Sequence, residues 1–290
     1  MAQISVVIPT CDRPDTLIEA VNCVLGQSYS AREIIVVNNG GQPLEGQLLP
    51  PPVKVYELQP YVGVSHARNL GVEEASGDYV AFLGDDDLWE SDYLKKAAAV
   101  VEEHHPDCII TRLDKLVDGK VYPHKNADGK LDLATLLVTN PGSSGSSTIV
   151  RRDAFTQVSG YDLELKNGQD KALIIDFLIN KYSVVTAPHI QAILREHAGL
   201  RLRNASSKAG SVYRFVQKYA KLMSPPQKNF NLVRFYYHRY LIERRPFDYF
   251  QYWIRFLLHR FYCKVNPALP AAPKLRFSNL LENSKQALQR

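Results

Sequence analysis

The sequence predicts an α/β domain with a mostly parallel, Rossmann-like sheet flanked by helices, followed by a helical extension rich in basic and aromatic residues. Three observations predict it. Short β-branched runs alternate with segments of helical periodicity over the first two-thirds of the chain. Polar, Gly-rich or acidic loops follow those runs. Charge then divides the chain: residues 205–290 hold sixteen Lys and Arg against three Asp and Glu, a balance of +13, whereas residues 1–204 carry −8. The expected division is therefore an α/β body over residues 1–204 and a helical region over 205–290.

Taken in order, Ile4–Ile8, Glu33–Val37, Val53–Leu58, Tyr79–Leu83 and Cys108–Thr111 read as buried strands. Asp15–Gln27, Ser65–Ala75 and Asp92–Glu103 read as the helices between them. The Asp118-Gly119 pair, set between apolar residues, marks a hairpin turn. Pro141–Ser147 is a Gly/Ser-rich loop before a strand at Thr148–Val150. A helix at Asp170–Lys181 and a strand at Ser183–Leu194 complete the domain. Beyond a boundary near residues 204–210, helices are expected at Val212–Leu222, Phe230–Glu243 and Phe247–Phe261, broken by Pro225-Pro226 and Pro246, with a last short helix near Asn279–Leu288.

Four scattered cysteines without a C-x-x-C pair point to a reducing compartment rather than to a zinc site or disulfide framework. The start of the chain reads directly into a strand, and no secretion signal is visible. Phe247–Phe261 is interrupted by Arg255, His259 and Arg260, so where it meets a membrane it is expected to lie on it rather than span it. The same basic, aromatic pattern also suits a dimer interface, nucleic acid or ordinary helix packing.

In open α/β sheets ligands bind beyond the carboxyl ends of the strands. Three loops would meet there: Pro9–Arg13, Asn38–Gly41, and Gly84 with Asp85, Asp86 and Asp87. Adjacent carboxylates repel unless a cation offsets them, and oxygen ligands select a hard ion, Mg²⁺ or Mn²⁺, bridging to phosphates. The alternative is a set of caps for the turn before Leu88-Trp89.

The strings Ile4–Thr10, Glu33–Val37, Gly63–Gly71 and Gly77–Asp87 together resemble the inverting family 2 glycosyltransferases of GT-A fold, over roughly residues 3–200. The resemblance implies that Asp86 is the direct metal ligand of a D-x-D element, that Asp85 contacts the ribose or a metal-bound water, and that Asp87 is a second metal candidate. Gly84 departs from the aspartate frequently found there. Thr10, Asp12 and Arg13 are implied at the base or ribose, with capping of the next helix as the alternative for Asp12. Asn38 and Asn39 stand where two aspartates are usual, and Asn39 retains an amide oxygen for a pyrimidine N3–H. UDP or dTDP is therefore favoured as the nucleotide, with GDP possible.

Arg68 is implied at the donor, against an ion pair with an acidic neighbour as the alternative. Leu165–Asp170 resembles the segment that ends in the general base, which assigns Asp170, against a plain N-cap role. The late loop carrying Arg195, His197, Arg201 and Arg203 implies His197 at the metal or diphosphate and Arg201 on phosphate oxygens. The expected function is metal-dependent, inverting transfer of a sugar to a glycan or lipid-linked acceptor in bacterial surface-polysaccharide assembly. The basic, aromatic helices are expected to hold the protein on the inner face of the cytoplasmic membrane. Its rivals are a catalytically silent donor-binding scaffold and a sugar-phosphate nucleotidyltransferase, the latter lacking a Gly-rich phosphate loop after the first strand.

Overall fold

The structure, a computed structural model, describes residues 2–44, 49–50, 52–124, 131–195 and 205–272. It divides into two compact units: one of residues 1–133, 140–163 and 169–198, the other of 134–139, 164–168 and 199–290.

The first unit is built on one sheet. Strands β1 (Ile4–Thr10), β2 (Glu33–Asn38), β3 (Val53–Glu57) and β4 (Tyr79–Phe82) form a parallel run in the order β3-β2-β1-β4. Beyond β4 the sheet continues through β8 (Thr148–Arg151), β6 (Cys108–Val117), β9 (Val184–Arg195) and β5 (Leu88–Trp89), and β7 (Lys120–Pro123) adds to β6. β8 runs antiparallel to both β4 and β6, while β6 and β9 are parallel.

Every residue of β1 and β2 is buried, which requires cover on both faces and explains why these strands read as unbroken apolar runs. Ile4, Val6 and Ile8 join one core with Leu17, Ala20 and Val21 of α1 (Pro14–Leu25) and with Tyr93, Leu94 and Ala97 of α3 (Tyr93–His104). On the opposite face Val7 meets Gly71 of α2 (Val64–Glu73); a Cβ there would lie 2.3 Å from the valine methyl, so only glycine lets the helix approach this closely. The remaining helices of this unit include α5 (Arg152–Gln157) and α6 (Gln169–Ile179); the short α4 (Leu133–Leu136) belongs, but for Leu133, to the second unit. The Asp118-Gly119 turn between β6 and β7 has both residues at positive φ, 49° and 74°, as a two-residue hairpin requires.

The second unit holds α7 (Ala205–Tyr219), α8 (Pro225–Glu243) and α9 (Pro246–Val265). Ser224 and Gln227 form a capping box at the start of α8, and Pro246 opens α9 at a position where no N–H is needed. Val233 packs on Tyr252 and Phe256, and Asn231 donates to the Leu137 carbonyl at 2.9 Å. The helix expected at Asn279–Leu288 lies outside the described residues.

Candidate active site

The ends of β1, β2 and β4 bring their three loops together at one edge of the sheet. The centre is the turn Gly84–Asp87, closed by the Asp87 N–H donating to the Gly84 carbonyl at 3.1 Å. Asp85 faces β1: its Oδ2 accepts from the Thr10 hydroxyl at 2.8 Å and from the Cys11 N–H at 3.3 Å. Arg13, just before α1, places Nη1 2.7 Å from Asp86 Oδ2 and 3.2 Å from Asp85 Oδ1. Burial raises the Asp85 pKa above the ordinary carboxylate value, and the Thr10 hydroxyl and Arg13 offset this only in part. Burial, with Asp12 and Asp85 beside it, likewise raises the pKa of the Cys11 thiol.

Asp87 faces the other way. Its Oδ2 accepts a short hydrogen bond from the Ser146 hydroxyl and its Oδ1 accepts from the Arg195 N–H at 3.2 Å. Ser146 lies in the 3-10 turn Gly145–Ser147, whose start is fixed by a capping box between Ser144 and Ser147. The Ser146 hydroxyl also accepts from the Gly84 N–H at 2.9 Å, and its carbonyl accepts from the Trp89 indole at 2.7 Å. Asp87, expected as a second metal ligand, thus has both oxygens engaged in fixing the turn. The Gly/Ser composition of Pro141–Ser147 marks a loop, and the particular role of Ser146 is not visible in it.

The structure assigns Asp12 neither to a cap nor to an open position. Its φ is 54°, Oδ1 accepts from the Gly41 N–H at 2.8 Å, and Oδ2 accepts from the Tyr61 hydroxyl at 3.0 Å. Arg13 instead precedes α1, without a side-chain cap. Asn38 donates to Glu57 Oε2 at 2.7 Å and accepts from the Gly40 N–H. The Asn39 amide oxygen, expected to face a pyrimidine, accepts from the Gly63 N–H at 3.0 Å. Between these loops lies a cavity of about 390 Å³, lined among others by Thr10, Asp12, Arg13, Asn38 and Tyr61, a volume in the range of small-molecule sites. Tyr61 escaped sequence reasoning because a lone tyrosine in a loop carries no pattern.

Arg68, buried on α2, reaches Asp170 at the start of α6: Nη1 lies 2.9 Å from Oδ1. Its guanidinium stacks 5.0 Å from the centre of the Tyr161 ring. Burial opposes the charge, yet Tyr161, Asp170 and Asp87 more than offset it and leave the Arg68 pKa raised. One guanidinium therefore lies within the fields of both the aspartate turn and Asp170. The ion-pair alternative for Arg68 is realised, with Asp170, 102 residues away in sequence, as partner. His197 and Arg201 lie outside the described residues.

A divalent cation fits this donor set in one way. Among the described residues no three His, Cys, Asp or Glu side chains are gathered to hold a metal. Asp85 and Asp87 accept hydrogen bonds that hold the turn, and Asp86 Oδ2 faces the half-exposed Arg13 guanidinium at 2.7 Å. Mg²⁺ or Mn²⁺ held by one carboxylate together with substrate phosphates and water matches that arrangement.

The glycosyl transferase family 2 model matches residues 5–158. The chain belongs to that family. As a family 2 protein it is 28% identical over 207 residues to the amylovoran biosynthesis glycosyltransferase AmsB of Erwinia amylovora, covering 63% of this chain and 67% of that one. It is 26% identical over 190 residues to the poly(ribitol-phosphate) β-N-acetylglucosaminyltransferase TarS of Staphylococcus aureus, covering 62% of this chain but 33% of TarS. An uncharacterized glycosyltransferase of Rickettsia bellii matches at 23% over 245 residues, and this chain spans 34% of it. Among solved structures, TarS residues 1–349 in complex with UDP-GlcNAc superpose with a TM-score of 0.63 at 18% identity, covering 88% of this chain and 79% of that one. The fold is GT-A, as the sequence predicts.

Proposed function

We propose that this family 2 protein is a metal-dependent, inverting glycosyltransferase that moves a sugar from a UDP-sugar to a hydroxyl of a glycan or lipid-linked acceptor in surface-polysaccharide assembly. The observation that carries this reading is the Arg68–Asp170 pair, set within reach of the aspartate turn. Asp170 is the general base. Arg68 fixes one carboxylate oxygen, leaving Oδ2 without a hydrogen bond to the described residues. That oxygen takes the acceptor hydroxyl proton while the acceptor oxygen bonds to the anomeric carbon. The anomeric carbon–oxygen bond breaks on the opposite face, and its electron pair leaves with the diphosphate.

Asp86 is the protein ligand of the divalent ion, which neutralises charge on the leaving diphosphate when bound. Arg13, which bridges Asp85 and Asp86, would pair with the donor phosphates beside that ion, because a guanidinium pairs with phosphate as it does with carboxylate. Thr10, Asp12, Asn39 and Tyr61 shape the nucleoside pocket, Asp85 orients Thr10 toward it, and His197 and Arg201 are the residues assigned to the diphosphate. AmsB and TarS, both named for polymer assembly, support the acceptor class, and the UDP-GlcNAc complex of TarS supports UDP.

Titration calorimetry with UDP, dTDP and GDP, each with Mn²⁺ or EDTA, tests the donor site. UDP binding that needs Mn²⁺ and disappears in Asp86→Ala is the expected outcome; metal-independent binding in that variant overturns the assignment. Asp170→Asn should bind UDP as the wild type does while losing about a thousandfold in sugar release from UDP-sugars, within the usual worth of a general base. Retained turnover would remove Asp170 from the mechanism.

A further inference from the structure

Helix α9 presents a face that nothing in the described residues covers. Asp248, Tyr252, Phe256 and His259 form its buried side. Directly opposite, at helical spacing, Phe247, Phe250, Ile254, Leu257, Phe261 and Val265 each expose between 46% and 72% of their surface. At a rise of about 1.5 Å per residue this stripe runs nearly 30 Å. Isolated exposed apolar residues are ordinary, but six in one continuous row mark an interaction surface.

Charge on the same helix selects the occupant. Its exposed ionic side chains are cations: Arg260 and Lys264 flank the stripe, and Arg244 and Arg245 stand just before it. The single acid of α9, Asp248, is fully buried and paired with Arg239 Nε at 3.2 Å. Two copies of the stripe packed together would bring these cationic shoulders against each other with no acid from α9 to pair them. Tyr249 and Trp253 on the shoulder add the amphipathic rings that settle at headgroup depth. No helix of the described residues is long and apolar enough to cross a membrane.

We infer that α9 is an in-plane membrane anchor, which sinks the Phe247–Val265 stripe into the acyl boundary of an anionic bilayer and keeps Arg260 and Lys264 at the lipid headgroups. The inference is independent of the sugar-transfer reading, since it requires neither donor nor catalysis. It supplies the physical form of the membrane attachment that the charge asymmetry of the sequence suggested.

Trp253 makes the test direct. It is one of two tryptophans, and the other, Trp89, is buried in the first unit. The full chain should show a blue-shifted emission with phosphatidylglycerol-containing vesicles, reversed by high salt, quenched by brominated acyl chains, and weak with phosphatidylcholine alone. F250S/L257S should weaken partition more than about tenfold, as expected for losing two buried large side chains. R260E/K264E should weaken it at least about fivefold per charge reversed. Both variants change exposed residues, and unaltered circular-dichroism melts check that they fold; the charge variant serves if the apolar one does not. Absence of a lipid-dependent shift overturns the proposal. Equal binding to neutral vesicles overturns its anionic part. A dimer in light scattering that dissociates in F250S/L257S gives the stripe to a second copy instead.

Discussion

Gly84 shows how a single position constrains the candidate site. A Cβ there would lie 3.0 Å from Asp87 Oδ2 and 3.2 Å from both Asp86 Oδ1 and the Ser146 hydroxyl. The aspartate frequent at this position in the resembling family would press a further carboxylate onto this turn, where like charges already meet. Gly84→Ala should therefore cost about 1 kcal/mol from crowding, and Gly84→Asp more, unless a divalent ion is supplied. Urea denaturation in EDTA measures both; an aspartate variant as stable as the wild type would show that the turn relaxes freely. The neighbouring residues also show where sequence reading ended. Three adjacent acids after an apolar strand mark Asp85 and Asp86 as candidates from sequence alone. Asp12 reads as a helix cap or a nucleotide contact, and its carboxylate joins Gly41 and Tyr61 at the edge of the cavity. Those partners lie 29 and 49 residues away in sequence, and local pattern does not reach that far.

At the scale of elements, legibility followed burial. β1 and β2 are covered on both faces, so hydrophobicity alone located them, to within two residues. β5 is two residues long and pairs with the distant β9, which left no periodic signal to read. α8 begins at Pro225, well before the apolar residues that suggested it, because the Ser224 cap and not the core fixes its start. Glu33, which begins β2, ties three elements together. It accepts from the Ser5 hydroxyl, the Ser76 N–H and hydroxyl, and Lys54, at 2.6–2.8 Å. Burial alone would raise its pKa, but the hydrogen bonds of Lys54, Ser76 and Ser5 prevail and hold it at about 2. A carboxylate lowered on folding stabilises the native state above its unfolded pKa, and that stability is lost as pH falls toward its folded value. Glu33→Gln should therefore reduce stability by roughly 2–3 kcal/mol at neutral pH. The difference from wild type should shrink between pH 4.5 and about 2. Denaturant midpoints at neutral pH and at the acid end of that window decide it; a constant gap would mean that Glu33 acts through packing instead of charge.

Across the whole molecule, every described residue assigned to sugar transfer belongs to the first compact unit, and the anchor belongs to the second. The charge division of the sequence points the same way: the acidic stretch contains the candidate metal and base residues, the basic stretch the face for anionic lipid. Ligand binding and lipid binding should then leave separate marks on the chain. Saturating UDP and Mn²⁺ at about a hundred times Kd adds roughly 2.7 kcal/mol to the stability of whatever unfolds with the site. Hydrogen exchange should accordingly slow at residues 9–13, 38–41 and 84–87, where the three loops meet, with α9 unchanged. Anionic vesicles should do the reverse, slowing exchange in α9 and leaving those loops as they were. If UDP alone protected α9, or vesicles alone protected the aspartate turn, the two sites would be energetically coupled, and by linkage each ligand would have to shift the affinity of the other by the same factor.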